Sequence, residues 1–501
     1  MGKSETKNLT RWQAWTETWL EWLFKGNPKP GKAGWVWMGA LWLLGLFLFG
    51  QFFNWGSIPF DFHDWAEISA PRIAFVQDAV KTGQLPLHMP DGSALRNVTD
   101  RYMALPDVML APQMLLLGVM SVGWFVLVNV WLLYTLGVLG LVQLWKRLRL
   151  SPLVFAVLFL LFNFNGSILS HFSVGHVNYT GYFLYPWLFL LLMDLAENDL
   201  TFSLKSRAVW RWLAGYAFLL FFMLLNGSFH QFIWALMLTG LVGLFHWRKL
   251  QLGLAGIVAA GLLSAVRLLP PALHLGQFDS EFLSGYPSVM DVWNGLTGMI
   301  GPDKAFAHIG QLTNLGWWEF DLFVGLIGAV FLIYFGLAAW WKQQVVPVWL
   351  NILALPALTL FVLSMGSIYQ LVMYIPIPLI NGERVSARLI TLPFILLILA
   401  AVVAFQRFAD GHSQSGLLRW GCMAGLLLLF QDLLQHLKLW RVNVAAEYFP
   451  VTPVNLAIKV VSNHVDAVYT NLLLVGLGIS VVMGVIILVG AFRKGKLTGS
   501  D

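Results

Sequence analysis

Long apolar runs alternate with short polar connections along most of the chain. A helix needs about 20 predominantly apolar residues to cross the roughly 30 Å hydrocarbon core of a bilayer. Segments that reach or approach this length lie at 33–56, 122–146, 151–169, 177–196, 209–225, 228–246, 250–268, 317–341, 346–366, 386–406, 418–436 and 469–492. The pattern predicts an all-α polytopic membrane protein with about twelve transmembrane helices. The apolar stretch 108–121 is interpreted as a re-entrant or interfacial helix and not as a further span. Several of the spans are short, so the predicted number of transmembrane helices holds to within about two.

The composition agrees with a membrane protein and excludes a soluble fold. Hydrophobic residues make up 58% of the 501 residues and charged residues 11%, against roughly 25% charged in soluble domains. The 25 Trp and 37 Phe suit the band where lipid headgroups meet hydrocarbon. Cys422 is the one cysteine, which excludes an intrachain disulfide and a cysteine-based metal site.

The charge pattern predicts how the chain is oriented in the membrane. The net charge is +6, but the basic residues fall in turns between apolar spans and not on one basic face, which argues against a nucleic-acid partner. The turns that carry them include Lys146, Arg147, Arg149, Arg248, Lys249, Lys342, Arg493, Lys494 and Lys496. By the positive-inside rule, both termini are predicted to be cytoplasmic. Most acidic residues and histidines then lie outside, and the predicted location is the plasma (inner) membrane.

The predicted spans and their orientation also predict the domain organisation. A cytoplasmic amphipathic segment, 1–32, precedes a transmembrane domain, 33–492, and a basic cytoplasmic tail, 493–501. The long outer loops are predicted at 57–107, 269–316, 367–385 and 437–468. Loops of this length inside a compact protein are usually functional.

The first outer loop begins with an acidic cluster of Asp61, Asp64 and Glu67. If a helix starts here, these residues are spaced i, i+3 and i+6, and neighbouring carboxylates share a face. They are candidates for a general base, and Asp61 and Asp64 also for ligands of a divalent cation such as Mg or Mn. The alternative is a solvated acidic helix start that the helix dipole favours.

Two polar segments interrupt apolar spans on the predicted outer side. One is Asn163-Phe164-Asn165-Gly166-Ser167, followed by His171 and His176, and the other is Asn226-Gly227-Ser228, followed by His230. Irregular backbone at membrane depth is tolerated where it is buried or lines a cavity, so the two segments are predicted to line one cavity. Each histidine is a candidate base, donor or ligand, although a lone interfacial histidine is more often a satisfied polar residue.

The first outer loop resembles that of the GT-C fold glycosyltransferases, multi-span enzymes that use sugars linked to lipid phosphates. The resemblance rests on the order of Pro71-Arg72, Lys81-Thr82-Gly83-Gln84-Leu85-Pro86-Leu87-His88, Arg101-Tyr102, Pro106 and Pro112 after the acidic cluster. In that superfamily an acidic residue just after the first helix is essential, and Asp64 or Asp61 matches it by position. The resemblance also implies a long first loop with amphipathic helices lying on the membrane.

Further segments extend the resemblance over most of the chain. Those similar to YfhO-type relatives are Ser170-His171, Gly175-His176, Tyr185-Pro186-Trp187, Trp317-Trp318-Glu319, Val324-Gly325-Leu326 and Arg384-Val385-Ser386-Ala387-Arg388. Ser386 stands where many relatives carry proline, which leaves the alignment of the last segment open.

The resemblance implies transfer of a sugar from a polyprenyl-phosphate donor to a lipid, glycan or protein on the extracytoplasmic face. The implied catalytic group is Asp64, Asp61 and Glu67, with Asp64 or Asp61 as the base. Arg384 and Arg388 would clamp the phosphate, since the guanidinium fork matches phosphate oxygens. Snorkelling arginines that anchor a helix end are the alternative. The remaining candidates for substrate binding are His171, His176, Arg72, Arg101, Glu319 and His230, and Arg72 and Arg101 can instead pair with nearby acids.

Two other functions stay open at this point. A transporter or lipid-handling protein needs opposing gates and often has two related halves, for which the sequence shows no convincing repeat. A non-catalytic membrane subunit would keep the fold and bind partner subunits through the N-terminal segment and outer loops. No phosphate-loop or dinucleotide motif follows a strand, so no soluble cofactor is predicted.

Overall fold

A computed structural model describes residues 11–26, 31–83, 109–198, 202–272, 282–307, 315–339, 346–374, 383–412, 415–451 and 467–493. These residues are helical almost throughout and contain isolated β-bridges but no strand. Arg101 and the segment 84–108 of the first outer loop lie outside the described residues.

The helices follow the predicted apolar segments. The α-helices are α1 (Arg11–Phe24), α2 (Gly31–Phe52), α3 (Ala70–Thr82), α4 (Val122–Leu148), α5 (Pro152–Asn163), α6 (Gly166–Ser173), α7 (Tyr185–Glu197), α8 (Arg207–Leu225), α9 (Phe229–Phe245), α10 (Trp247–Leu263), α11 (Ala265–Ala272), α12 (Val289–Thr297), α13 (Gly325–Phe331), α14 (Val348–Leu363), α15 (Gly366–Met373), α16 (Thr391–His412), α17 (Gly416–Leu439), α18 (Val442–Tyr448) and α19 (Ala467–Phe492). Short 3₁₀ or π-helical segments include Trp65–Ser69, Pro112–Gly118, Val177–Leu184, Trp317–Glu319, Leu332–Ala338 and Ser386–Ile390.

Seven helical spans in the described residues are long and apolar enough to cross a membrane. They are Gly31–Phe52, Val122–Leu148, Pro152–Ser173, Arg207–Leu225, Ser386–His412, Gly416–Leu439 and Thr470–Phe492. The pair α10 and α11 passes the same test together, with a bend of 75° between them. Phe229–Phe245, Gly325–Ala338 and Val348–Leu363 are apolar but shorter. The chain is therefore an all-α protein with several membrane-capable helices, and the count of twelve spans stays a prediction.

Hydrogen bonds between distant helix ends define two ends of the bundle. At the first, the Trp37 indole donates to the carbonyl of Pro152 at 3.1 Å, and Arg207 donates to the carbonyl of Ala491 at 3.1 Å. This end also carries Arg147, which pairs with Asp194 and with Glu197. We call it the basic end, because the described basic turns with Arg147 and Lys249 lie here.

The second end is formed by the opposite termini of the same helices. Arg441, at the start of α18, donates to the carbonyl of Gln51 at the end of α2, at 3.2 Å. The Leu110 amide donates to the carbonyl of Leu225 at the end of α8, at 2.7 Å. We call this the cavity end, because the side chains described below converge on it.

The core of the bundle is the broken span α5–α6. All residues from Pro152 to Ser173 are buried, and α5 contacts α16, α2 and α4. By contrast, α17 and α19 expose most of their apolar side chains, including Leu427 and Val489. A helix that is apolar all round but exposed on its outer side suits contact with lipid.

Candidate functional site

A cavity of about 470 Å³ opens at the cavity end of the bundle. Its walls combine an apolar part with a polar and charged part. The apolar part is Ile68, Ile73, Val76, Met109, Leu117, Phe125 and Val126. The polar part is Asp64, Arg72, Asn129, His176, Asn178, Asn226, His230, Glu319, Arg384 and Arg388, with Tyr179 and Trp318 beside them. Concave sites with a few convergent polar groups are the usual form of ligand sites.

Asp64 is held in place by contacts between two segments far apart in the sequence. The indole of Trp65 donates to the carbonyl of Ser173 at 2.9 Å, and the Ser69 hydroxyl donates to the carbonyl of Gly175. Gly175 has φ +101°, and a Cβ there would clash with the backbone of Trp65. Glycine is therefore needed where the loop after α6 approaches the segment that carries Asp64.

A line of polar side chains runs inward from Asp64, and we call it the relay. The Asp64 Oδ2 and His176 Nε2 atoms lie 2.8 Å apart, and the Nδ1 atoms of His176 and His171 lie 2.7 Å apart. His171 Nε2 lies 4.0 Å from Glu319 Oε2. Arg388 donates to both Glu319 oxygens, through Nε at 2.7 Å and through Nη2 at 2.6 Å. The relay thus joins an acid at the cavity wall to a buried ion pair.

The short contact between the two histidines restricts where protons lie. An ionised Asp64 accepts a hydrogen bond, so His176 must donate from Nε2. The proton between the two Nδ1 atoms then belongs either to His171 or to a doubly protonated His176. The relay can therefore hold one proton at alternative positions next to Asp64.

The inner end of the relay is the ion pair between Glu319 and Arg388. The positive charge of Arg388 and its two hydrogen bonds to Glu319 stabilise the carboxylate form of that acid. This pairing compensates the charge of Glu319, whose side chain is almost fully buried. The Tyr179 ring stacks on His171, with ring centroids 3.9 Å apart, and fixes the plane of that imidazole.

A second carboxylate–histidine pair lies at the same cavity. The Nδ1 atom of His230 and the indole nitrogen of Trp234 each lie 3.0 Å from Glu383 Oε2. The Glu383 amide donates to the Tyr369 hydroxyl at 3.2 Å. Burial would raise the pKa of Glu383, but His230, and then Arg388 and Trp234, lower it overall.

The structure brings most of the predicted site residues together. Asp64, Arg72, His176, His230, Glu319, Arg384 and Arg388 line the cavity, and His171 lies buried against His176. Of the two polar segments, Asn226 of the second lines the cavity together with His230, whereas the first, residues 163–167, is buried and contributes only the later residues of its loop, such as His176.

Asp61 and Glu67 are placed differently from the prediction. The helical conformation begins at His63, which has φ +38°, so Asp61 lies before it and does not share a helix face with Asp64. Asp61 is exposed, and neither it nor Glu67 is part of the cavity wall. Arg101 lies outside the described residues.

Arg388 also differs from the expected phosphate clamp. Its Nε–Nη2 edge is already occupied by both oxygens of Glu319. Arg384 is exposed at the cavity wall and has interactions of its own. The two arginines therefore occupy different positions in the site.

Sequence reasoning missed Glu383 and Tyr179. Glu383 directly precedes Arg384, so the polar segment that pointed to the arginine also contained the acid. Tyr179 follows His176 by three residues, but no spacing rule indicates that it stacks on His171. Both were found only through contacts across the bundle.

Within the described residues, the group with the composition of a metal site is His171, His176 and Glu319, whose ligand atoms lie within 4.8 Å of one another. Two imidazoles and one carboxylate suit zinc better than Mg or Mn, which prefer oxygen ligands. Asp61 is exposed and is not part of the cavity wall, and the Asp61–Asp64 cation site stays a prediction.

Comparisons with known proteins identify no relative of this chain. No family model, no curated protein and no solved structure matches it. The resemblance to GT-C glycosyltransferases therefore rests on the quoted motifs alone.

Proposed function

We propose that the protein is a membrane glycosyltransferase that takes a sugar from a polyprenyl-phosphate donor. The acceptor is a lipid, a glycan or a protein on the extracytoplasmic face. The observation that carries the proposal is the position of Asp64, hydrogen-bonded to His176, in a cavity whose walls also hold Arg72, Arg384 and an apolar surface.

The two kinds of wall suit an amphiphilic phosphate. Apolar side chains such as Ile73, Val76 and Leu117 favour an isoprenoid chain, because burying apolar surface is favourable. The guanidinium groups of Arg72 and Arg384 suit a phosphate, because their planar donors match its oxygens. A transporter for a small polar solute would not need this combination.

The proposed reaction assigns one role to each group. The oxygen of an acceptor hydroxyl attacks the anomeric carbon of the donor sugar, and the bond from that carbon to the phosphate oxygen breaks. The phosphate leaves with the electron pair, and Arg72 and Arg384 stabilise its charge. The hydroxyl proton passes to the Asp64 carboxylate, which acts as the general base.

The relay positions the base. His176 holds the Asp64 carboxylate through its Nε2–H, and His171 holds His176. Glu319 and Arg388 form the buried ion pair behind them, so Arg388 is a positioning residue and not the phosphate clamp. A divalent metal held by His171, His176 and Glu319 would supply Lewis-acid chemistry there, in place of the hydrogen bond between the two Nδ1 atoms.

The proposal includes the finer architecture that the resemblance implies. We propose a GT-C-like domain of about twelve spans in the plasma (inner) membrane, with cytoplasmic termini and the cavity end outside. Membrane lipid and the polyprenyl-phosphate sugar are the proposed ligands, and partner subunits in the membrane are compatible with the exposed helices.

The test is sugar transfer from a panel of polyprenyl-phosphate donors by the purified full chain in lipid. Asp64→Asn is expected to lower the rate by about 10²-fold or more, the range for loss of a general base, while donor binding is kept. Asp61→Asn is the matched control, because it removes an exposed carboxylate three residues away, outside the cavity. Rates are measured with and without a chelator to detect a bound metal.

Other outcomes favour the alternatives. If the wild type binds the donors without transferring any sugar, the chain is a non-catalytic subunit or a lipid-handling protein. If it neither binds nor reacts with any donor, the glycosyltransferase proposal is wrong.

A further inference from the structure

One part of the cavity wall is polar but contains no carboxylate and no guanidinium group. It consists of Asn129 on α4, Asn178 after the loop, and Asn226 and His230 at the turn between α8 and α9. Hydrogen bonds tie two of them together, since Gln113 Nε2 donates to Asn129 Oδ1 at 2.9 Å and to Asn226 Oδ1 at 2.6 Å. Asn226 Nδ2 also donates to the carbonyl of Phe222 at 2.8 Å, which fixes the orientation of this amide and leaves one of its N–H groups for a ligand.

His230 is fixed in one tautomer by its environment. The Trp234 indole is a donor only, and it donates to the same Glu383 oxygen that faces His230 Nδ1. Because an ionised carboxylate only accepts, Nδ1 of His230 must carry a hydrogen. In the neutral imidazole, Nε2 is then an acceptor, on a side chain that lines the cavity and is 29% exposed.

Glu383 is buried and orients the imidazole of His230 through the hydrogen bond to its Nδ1 atom. Its side chain is 8% exposed, so it does not present a charge to the cavity in the way that Asp64 does. His230 and Trp234 lie one helical turn apart on α9 and reach the same oxygen, which is the geometry of i, i+4 neighbours.

We infer that Asn129, Asn178, Asn226 and His230 form a subsite for the hydroxyl groups of a sugar. Amides donate and accept hydrogen bonds, and Nε2 of His230 accepts when the ring is neutral and donates when it is protonated, so either form can pair with a hydroxyl, which both donates and accepts. This inference rests on the proposed function and adds where the sugar binds. The sugar is that of the donor or that of a glycan acceptor, which share this chemistry.

Other ligand parts suit this subsite less well. A phosphate favours the guanidinium groups of Arg72 and Arg384, because charge-assisted hydrogen bonds are stronger than neutral ones. An isoprenoid chain would cover the amides without hydrogen bonds, which costs free energy. The subsite therefore separates the sugar from the phosphate and the lipid within one cavity.

The test compares ligands with and without a sugar on the full chain in nanodiscs. The ligands are a polyprenyl phosphate, the same lipid carrying its sugar, an octyl glycoside and a panel of free monosaccharides. Binding is measured by saturation-transfer NMR for the soluble sugars and by competition for the lipids. The variants are His230→Ala and Asn226→Ala, with His246→Ala as the control at the basic end of the same helix α9.

We expect His230→Ala and Asn226→Ala to weaken binding of the sugar-bearing ligand about tenfold, the effect of losing a hydrogen bond worth about 1.4 kcal/mol. Binding of the bare polyprenyl phosphate should stay within about twofold, which also shows that the variants fold. A loss confined to the glycosylated lipid assigns the donor sugar, and a loss confined to the octyl glycoside assigns the acceptor.

Two results overturn the inference. One is an equal loss for the bare and the glycosylated lipid, which would place His230 in the phosphate or lipid site. The other is a wild type that binds no sugar in any form. If free sugars bind in a His230-dependent way but no polyprenyl phosphate does, the subsite stands and the proposed glycosyl donor is wrong.

Discussion

At the scale of single residues, the site depends on how burial and charge act on individual groups. Glu319 keeps its charge in the protein interior because Arg388 lies against both of its oxygens. Separating such a buried pair leaves an uncompensated charge, which is strongly destabilising. His63 shows the opposite case, since burial lowers its pKa and the attraction of Asp64 offsets only part of that effect.

The lowered pKa of His63 predicts a loss of stability in mild acid. Histidine in an unfolded chain has a pKa near 6.5, so as the pH falls the unfolded state binds the proton before the folded state does. The folded state of the wild type therefore loses stability relative to His63→Asn as the pH falls below about 7.5. Asparagine tolerates the positive φ at this position.

The measurement is the midpoint of thermal unfolding in detergent, followed through tryptophan fluorescence at several pH values. His412→Asn, an exposed histidine near the basic end, is the control and should leave the pH dependence unchanged. A difference between wild type and His63→Asn that does not vary with pH would contradict the assignment.

At the scale of helices, the interruption between α5 and α6 in the central span determines where the side chains of α6 lie. Asn165 ends the break by donating to the carbonyls of Leu161 and Phe162 and to the Tyr182 hydroxyl, each at 2.9 Å. These bonds satisfy backbone groups that the interruption of the helix leaves without partners. The break lets α6 turn His171 toward Glu319 while α5 stays in the core.

Gly166, the first residue of α6, packs closely against the segment before α13. The Gly166 amide donates to the carbonyl of Phe323 at 2.9 Å, and a Cβ on Gly166 would clash with Asp321. Asp321 is in turn hydrogen-bonded to His436 of α17 at 2.9 Å. The contact therefore joins three elements near Glu319.

Gly166→Ala is predicted to destabilise the protein. Overpacking a buried contact costs about 1–3 kcal/mol, which should appear as a lower thermal midpoint. Gly421→Ala is the matched control, because nothing lies within 4 Å of the added Cβ on the exposed face of α17. Its expected effect is neutral or stabilising, by about 1 kcal/mol at most. Equal midpoints for the two variants would show that close packing at Gly166 does not stabilise the interruption between α5 and α6.

At the scale of the whole molecule, polar groups are segregated to the two ends of an apolar bundle. The basic end carries Arg147 with its acidic partners, and Arg419 pairs there with Glu17 of α1 at 2.9 Å. The cavity end carries the relay and the second carboxylate–histidine pair. Such segregation suits a protein whose middle zone contacts lipid.

The orientation predicted by the positive-inside rule is tested by cysteine labelling in right-side-out membrane vesicles. On a Cys422→Ser background, Asp61→Cys at the cavity end should react with a membrane-impermeant maleimide. Arg248→Cys at the basic end should react only after the vesicles are permeabilised. The reverse pattern would place the cavity on the cytoplasmic side and would remove the extracytoplasmic reaction from the proposal.

The sequence alone determined the apolar segments, the positions of the polar breaks and the separation of basic turns from acidic loops. These features depend on local composition, because transfer of a segment between water and lipid is set by its own side chains. For the same reason, Asp64, His176 and Arg384 were found as candidates without any knowledge of their contacts.

Only the tertiary structure decided which of these groups act together. Asp64 and His176 are 112 residues apart, and His230 and Glu383 are 153 residues apart, so no local pattern pairs them. The same packing excluded Asp61, turned the Arg388 fork toward Glu319 and set Tyr179 on His171. Contacts of this kind depend on the shapes and crossing of whole helices, which a periodic pattern of apolar residues does not encode.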